Sequence, residues 1–307
     1  MWDPLASAGM ANLGRMHEGE IAISDATVRR LVGQQFPMWA SRALTRLPPL
    51  GTDNQLFRLG HELLIRMPRI EWAASSARHE HTWLPRLASH LTTPIPAPVA
   101  LGQPGEGYPW HWTVVPWLEG ETPTPQTFEP EVWAVSVGSF VRELRGVPGM
   151  DAPVKSEGRG APLSSLDEWV RTWTSRADAS EVDPTSVLAV WRDAVEAPAW
   201  DGEAMWFHGD LHEGNLLVRG GRLSAVIDWG AAGRGDPAVE LNAMWGYLPA
   251  SVAELYRMTV GLDEAAYRRA RGFALAPAIS GWTYYKVTAP HLSALGLATV
   301  KSLIASL

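Results

Sequence analysis

His208-Gly-Asp210-Leu-His212-Glu-Gly-Asn215-Leu-Leu-Val218, followed after Arg219-Gly-Gly-Arg222 by Leu223-Ser-Ala-Val-Ile-Asp228-Trp229, places an Asp, an Asn five residues on and a second Asp at the end of a short apolar run. A phosphoryl-transfer site needs this spacing. Asp210 can accept the proton of an attacking hydroxyl and orient that hydroxyl in line, and Asn215 and Asp228 offer hard oxygen ligands to a Mg²⁺ that bridges nucleotide phosphates. The apolar runs Leu216 to Val218 and Leu223 to Ile227 predict two strands joined by the Gly-Gly turn, which would hold Asn215 and Asp228 side by side. Read singly, Asp210 as a helix cap, Asn215 as a turn residue and Asp228 as a strand end would also serve.

Together with Val226-Ile-Asp-Trp229 and Gly235-Asp236-Pro237, this stretch resembles the catalytic core of the aminoglycoside phosphotransferase family, small-molecule kinases with a protein-kinase-like fold. The resemblance runs from about Ile21 to about Trp245. It includes Thr52-Asp53-Asn54, Trp83-Leu-Pro-Arg-Leu87 and Gly105-Glu-Gly-Tyr-Pro-Trp110. It implies that Asp210 is the catalytic base, that Asn215 and Asp228 bind Mg²⁺, and that His208 buttresses the loop instead of acting as a base. Asp236 is expected to cap the next helix ahead of Pro237. Glu240 stands where relatives often carry a second Asp.

The implied fold is α+β and two-lobed. Residues 1–20 are expected to be a loose extension, residues 21–118 a small β-rich, nucleotide-binding N-lobe, and residues 119–307 a larger helical C-lobe with the catalytic loop and the acceptor site. The sequence pattern agrees. Ser24-Asp25-Ala-Thr27 predicts a capped helix; Ala43 to Leu50, Asn54 to Leu59, His61 to Met67 and Trp112 to Leu118 read as strands. Arg78 to His90 reads as a helix with an awkward interior Pro85. Beyond Leu118, helices are predicted at Glu131 to Arg145, Leu166 to Ala177, Thr185 to Ala197, Val239 to Gly246, Ser251 to Val260 and Asp263 to Ala276. Pro148 to Pro162 is Gly/Pro-rich and reads as a surface loop.

On the nucleotide side, Leu50-Gly51-Thr52-Asp53-Asn54 lies where the family covers phosphate; an ordinary hairpin turn explains it equally well. The family normally carries a phosphate-pairing Lys on the third strand. The only lysines here are Lys155, Lys286 and Lys301. Arg66 takes the lysine's place, with Glu80 as partner, and a surface ion pair is the alternative reading. Val114-Val115-Pro116-Trp117-Leu118 would be the hinge that holds the purine edge. Pro116 has no N–H, so the donor must come from Trp117 or Leu118. The cofactors implied are ATP, with GTP an open alternative, and Mg²⁺.

The chain has 307 residues, no cysteine and 46% hydrophobic residues, so it can bury a core but makes no disulfide and no thiolate chemistry. No apolar run suits a membrane span or a leader peptide, and a cytoplasmic location is expected. Residues 1–118 carry 9 acidic and 10 basic residues, and residues 119–307 carry 24 and 16, so the second part holds a net −8. That argues against nucleic acid as a partner. It is compatible with a cationic acceptor such as an aminoglycoside if Glu240, Asp263 and Glu264 face the acceptor, and equally with a plain solvated acidic surface. Among the sixteen tryptophans, Trp229 and Trp245 are the candidates for an acceptor wall, although most should be core. Another small alcohol as acceptor, or nucleotide binding without turnover, are the rival readings. The sequence leaves the oligomeric state open.

Overall fold

The structure, a computed structural model, describes residues 17, 19–48, 53–124, 126–246 and 248–307. They fall into two units: the described residues up to Ala88 together with Pro96–Leu118, and Ser89–Ile95 together with Glu119–Leu307.

The first unit opens with helix α1 (Asp25–Gln35), started by the Ser24 side chain, which accepts from the Thr27 N–H. Strands β1 (Leu44–Arg46), β2 (Asn54–Leu59) and β3 (Leu63–Pro68) follow, then the single turn α2 (Glu71–Ala74), helix α3 (Ser76–Ala88) and strands β4 (Ala100–Gly102) and β5 (Trp112–Pro116). The antiparallel sheet has the order β1-β2-β3-β5-β4. Along β2 the residues Gln55, Phe57 and Leu59 are buried and their neighbours are not, the period of two that seats one strand face on a core. Val28, Leu31 and Val32 of α1 pack on that core with Phe57, Ile65, Met67 and Val114. Helix α3 runs through Pro85 with Leu84 and Leu87 buried on either side, so burial of that face outweighs the missing N–H. Strand β4 was not anticipated.

Residues 89–95 belong to the second unit, because the Glu143 carboxylate accepts from the Thr92 N–H and hydroxyl, both at 2.9 Å, and the Pro94 carbonyl accepts from Val226 N at 3.1 Å. Of the expected extension, residues 1–16 and 18 lie outside the described residues.

The second unit contains helices α4 (Pro130–Arg145), α5 (Asp167–Arg176) and α6 (Pro184–Glu196), then strand β6 (Met205–Phe207), the hairpin β7 (Leu216–Arg219) and β8 (Arg222–Val226), and strand β9 (Gly233–Gly235). Strand β6 pairs antiparallel with β9. The β7–β8 turn is Gly220-Gly221, with φ of 58° and 70°, the left-handed pair that a two-residue hairpin turn demands. Helices α7 (Ala243–Gly246), α8 (Ala250–Val260), α9 (Glu264–Tyr284) and α10 (Pro290–Ala305) complete the unit.

Several helices differ from expectation. Val239 to Gly246 is a 3-10 segment, Pro237–Asn242, that only then continues as α7. Helix α9 does not stop at Ala276 but passes through Pro277, because Phe273, Leu275, Ile279 and Trp282 are all buried. Helix α10 and strands β6 and β9 carry too little periodic signal to be read. Among the described residues no helix is long and apolar enough to cross a membrane.

Candidate active site

The strand β6 ends at Phe207, and the chain turns through His208 and Gly209, where φ is 80°, into Asp210. His208 is fully buried. Its Nδ1 accepts from the Asp210 N–H at 3.2 Å and its Nε2 lies 3.0 Å from the Ile227 carbonyl, so the ring carries its proton on Nε2 and ties the loop to the end of β8. The ring also meets Trp229 edge-on at 4.9 Å. Burial drives its pKa down to about 4, and the imidazole is neutral.

Glu240 supports the same turn from below. Fully buried in the 3-10 segment, it accepts from the N–H of His208 at 2.5 Å and of Gly209 at 3.2 Å. Burial pushes its pKa up to about 7, against the pull of those two N–H bonds. Two residues after Asp236, Ala238 donates its N–H to the Asp236 carboxylate at 3.0 Å, and Arg269 grips the same carboxylate through Nε and Nη2 at 2.6 and 3.1 Å. Asp236 therefore caps the 3-10 segment and closes a buried ion pair.

Asn215 ends a 3-10 turn that His212 starts with its Nδ1, which accepts from Gly214 N at 3.1 Å. The Asn215 amide nitrogen donates to the Asp210 carbonyl at 2.9 Å and lies 3.4 Å from Asp210 Oδ2. That contact fixes the amide so that its oxygen is the remaining end. The hairpin register sets Leu216 opposite Val226, and the Ile227 N–H binds the Asn215 carbonyl at 2.8 Å. Asp228 comes next with φ of 61°, a left-handed conformation uncommon outside glycine that Asp tolerates better than most. An amide oxygen and a carboxylate held this way suit Mg²⁺, which takes one or two protein oxygens and completes its shell from phosphates and water. Among the described residues no group of three or more His, Cys, Asp or Glu is placed to hold a metal.

Asp210 has a partner that the sequence reading missed. The Arg159 guanidinium forms an ion pair with Asp210 Oδ1 and donates to the Gly209 carbonyl at 2.9 Å. Asn242 Nδ2, also unforeseen, reaches the same carbonyl at 3.4 Å. Desolvation alone would raise the Asp210 carboxyl, but the charges of Arg159 and His212 and the Arg159 hydrogen bond hold it below the usual carboxylate range. His212 Nε2 is 3.9 Å from Asp210 Oδ2. Arg159 lies in the Gly/Pro-rich stretch read as a surface loop. That stretch is a loop with most of its residues at least partly exposed, and Ala152, Gly160 and Ala161 are its buried anchors.

In the first unit, Arg66 lies on β3 and its Nη1 is 2.8 Å from Glu80 Oε2, with side chains 9% and 2% exposed. The pair is buried, which corrects the surface-pair alternative. Asp53 Oδ1 is 4.0 Å from His17 Nε2, and Thr52 lies outside the described residues. Val115 is a buried strand residue paired with Leu64. The Trp117 N–H donates to the Glu62 carbonyl at 2.7 Å, and its ring carries the Arg58 guanidinium at 4.0 Å. Of the two hinge donors considered, Trp117 is thus engaged within the sheet edge, which leaves Leu118.

The expected acceptor wall is corrected. Trp229 is fully buried and donates to the Val226 carbonyl at 3.0 Å. Trp245 is buried and donates to Ser306 Oγ at 3.1 Å. Asp263 caps α9 by accepting from Ala266 N at 2.8 Å, and the exposed Glu264 pairs with Arg257 at 3.5 Å. Glu240 points both oxygens at backbone. Each of these side chains answers a local packing or capping need that a sequence cannot distinguish from ligand binding.

The family model described as the phosphotransferase enzyme family matches residues 45–273. No curated protein sequence matches the chain. Solved structures match along nearly its whole length. A GDP complex of a variant aminoglycoside 2′-phosphotransferase has 18% identity and a TM-score of 0.72, over 92% of this chain and 98% of that one. The wild-type GDP complex gives 17% and 0.71 over 92% and 99%. A macrolide 2′-phosphotransferase from Brachybacterium faecium gives 20% and 0.59 over 90% and 97%. At these identities the likeness speaks for the fold.

Proposed function

The chain belongs to the phosphotransferase enzyme family, and from that premise we propose that it is an ATP- and Mg²⁺-dependent O-phosphotransferase of a small hydroxylated molecule, working in the cytoplasm. Membership makes it a small-molecule kinase that transfers phosphate to a hydroxyl group. The observation that carries the finer reading is the joining of Asp210 to Asn215 through the amide at 2.9 Å, with Asp228 brought beside Asn215 by the hairpin.

In this reading the acceptor hydroxyl attacks the γ-phosphorus, the bond from that phosphorus to its bridging oxygen breaks, and the nucleoside diphosphate leaves. Asp210 aligns the hydroxyl and takes its proton. Asn215 and Asp228 would hold Mg²⁺, which when bound neutralises charge on the nucleotide phosphates. In the first unit, Arg66, fixed by Glu80, is the candidate phosphate-pairing cation, and the Leu118 N–H the candidate donor for the base. His208, neutral and buried, holds the loop to Ile227 and takes no proton from the acceptor.

The neighbours named above act, by their names, on aminoglycosides and on a macrolide. Here Glu240, Asp263 and Glu264 are engaged elsewhere and a guanidinium lies on Asp210, an arrangement that favours a neutral or singly charged alcohol over a polycationic aminoglycoside. The test is transfer from labelled ATP, with GTP in parallel, to a panel of hydroxylated antibiotics, nucleosides, choline and sugars, with and without Mg²⁺. Acceptor-stimulated, Mg²⁺-dependent transfer that Asp210→Asn abolishes is expected. Nucleotide binding with no transfer to any acceptor would leave the binding-protein reading instead, and preferred transfer to aminoglycosides would overturn the acceptor choice alone.

A further inference from the structure

We propose that Arg159 is a positioning residue of the phosphotransfer reaction: bonded to both the Asp210 carboxylate and the Gly209 carbonyl, it fixes the plane of that carboxylate and so the line along which the acceptor hydroxyl attacks. The proposal rests on the reading of Asp210 as the base.

The carboxylate is held from two sides by two separate elements. Oδ1 meets Arg159, from the segment between α4 and α5, and Oδ2 lies 3.4 Å from the Asn215 amide. Removing Arg159 releases one oxygen and leaves the side chain free to turn about its last bond, which for a carboxylate is a soft rotation. The Gly209 carbonyl is held in the same way, by Arg159 at 2.9 Å and Asn242 at 3.4 Å. Both contacts are made by one terminal nitrogen, Nη1, which has an N–H for each acceptor, and the rigid guanidinium plane fixes the direction of both.

The seat of Arg159 is built by backbone, which distinguishes it from a long side chain that happens to meet an acid. Gly158 and Gly160, on either side, have φ of 77° and 76°. The Gly160 carbonyl accepts from Asp236 N at 2.8 Å, and Lys155 N donates to the Arg234 carbonyl at 2.8 Å. A side chain is excluded at the crossing: a Cβ on Gly235 would lie 2.1 Å from the Gly160 oxygen, and one on Gly160 would lie 2.2 Å from the Phe207 ring. Phe207 and Gly235 belong to β6 and β9, the paired strands that flank the loop containing Asp210 and Asp228. The same pair of strands therefore sets both the guanidinium and the carboxylate it meets.

An exposed ion pair of no consequence is the alternative, since the two side chains are 31% and 34% exposed. Arg159→Met, Arg159→Lys and Asp210→Asn separate the two. For Arg159→Met, kcat is expected to fall about 10- to 100-fold, with the KM for nucleotide and for acceptor within about threefold of wild type. Arg159→Lys should regain part of the loss, because its ammonium keeps the charge and N–H donors but not the rigid plane. Chemical denaturation of wild type, Arg159→Met, Asp210→Asn and the double variant gives a readout independent of turnover. Non-additive stabilities show that the pair interacts in solution, and additive ones overturn the contact. A kcat for Arg159→Met within about twofold of wild type, beside an inactive Asp210→Asn, removes Arg159 alone. A fully active Asp210→Asn removes the reading of Asp210 beneath it.

Discussion

Glu240→Gln should make the protein more stable at neutral pH than at acidic pH relative to wild type. Glu240 is fully buried and its pKa is raised from 4.5 to about 7, chiefly by desolvation. Between those values the native state holds one proton more than the unfolded chain, so this group lowers stability as pH rises through that window and its full cost is present above it. At roughly 1.4 kcal/mol per pH unit, the gap comes to about 3 kcal/mol. His208 acts in the opposite sense. Its pKa is lowered from 6.5 to about 4 by burial, so stability is lost as pH falls through that window. In the wild type the two slopes oppose one another and the profile should be nearly flat between them. Glu240→Gln removes one slope and exposes the other. Urea denaturation at matched ionic strength from pH 4.5 to 7.5 measures the difference between variant and wild type, which should move in favour of the variant by about 3 kcal/mol. A difference constant to within about 0.5 kcal/mol across that range would refute the raised pKa of Glu240 beneath the loop.

Asp210→Asn should lower transfer by about 10²-fold or more while nucleotide affinity, followed by tryptophan fluorescence, stays near wild type; retained turnover removes Asp210 from the reaction. Arg66→Ala removes the guanidinium that pairs with the buried Glu80 and should cost about 3–5 kcal/mol in chemical denaturation. Arg66→Lys should cost less and keep a measurable fraction of nucleotide use, and equal losses in both would deny the role of charge. Gly235→Ala must displace the Gly160 carbonyl, and calorimetry should show a lowered Tm from a cost of about 1–3 kcal/mol, together with reduced transfer. An unchanged Tm would mean that the crossing yields without resistance.

The sequence by itself determined what is local. A two-residue Gly-Gly turn can close only one hairpin, and that hairpin brings Asn215 and Asp228 together whatever surrounds it. Alternation marked β2, a capped start marked α1, and periodicity found most of the helices. Tertiary structure decided everything that depends on a partner far along the chain. Arg159 reaches Asp210 because two glycines let backbone cross backbone, and a glycine in a loop announces nothing about what it will touch. Trp229 and Trp245 could have lined a pocket or filled a core, and burial chose the core. Asp263 and Glu264 are acidic in any reading, but the cap of α9 and Arg257 took them. Helix α9 continues through Pro277 because the apolar surface buried on both sides outweighs one lost hydrogen bond, an outcome that local propensity weighs the other way. Glu240, read as one more carboxylate for a cationic ligand, became the buried acceptor for two backbone N–H groups, because the turn through His208 and Gly209 leaves them no other partner.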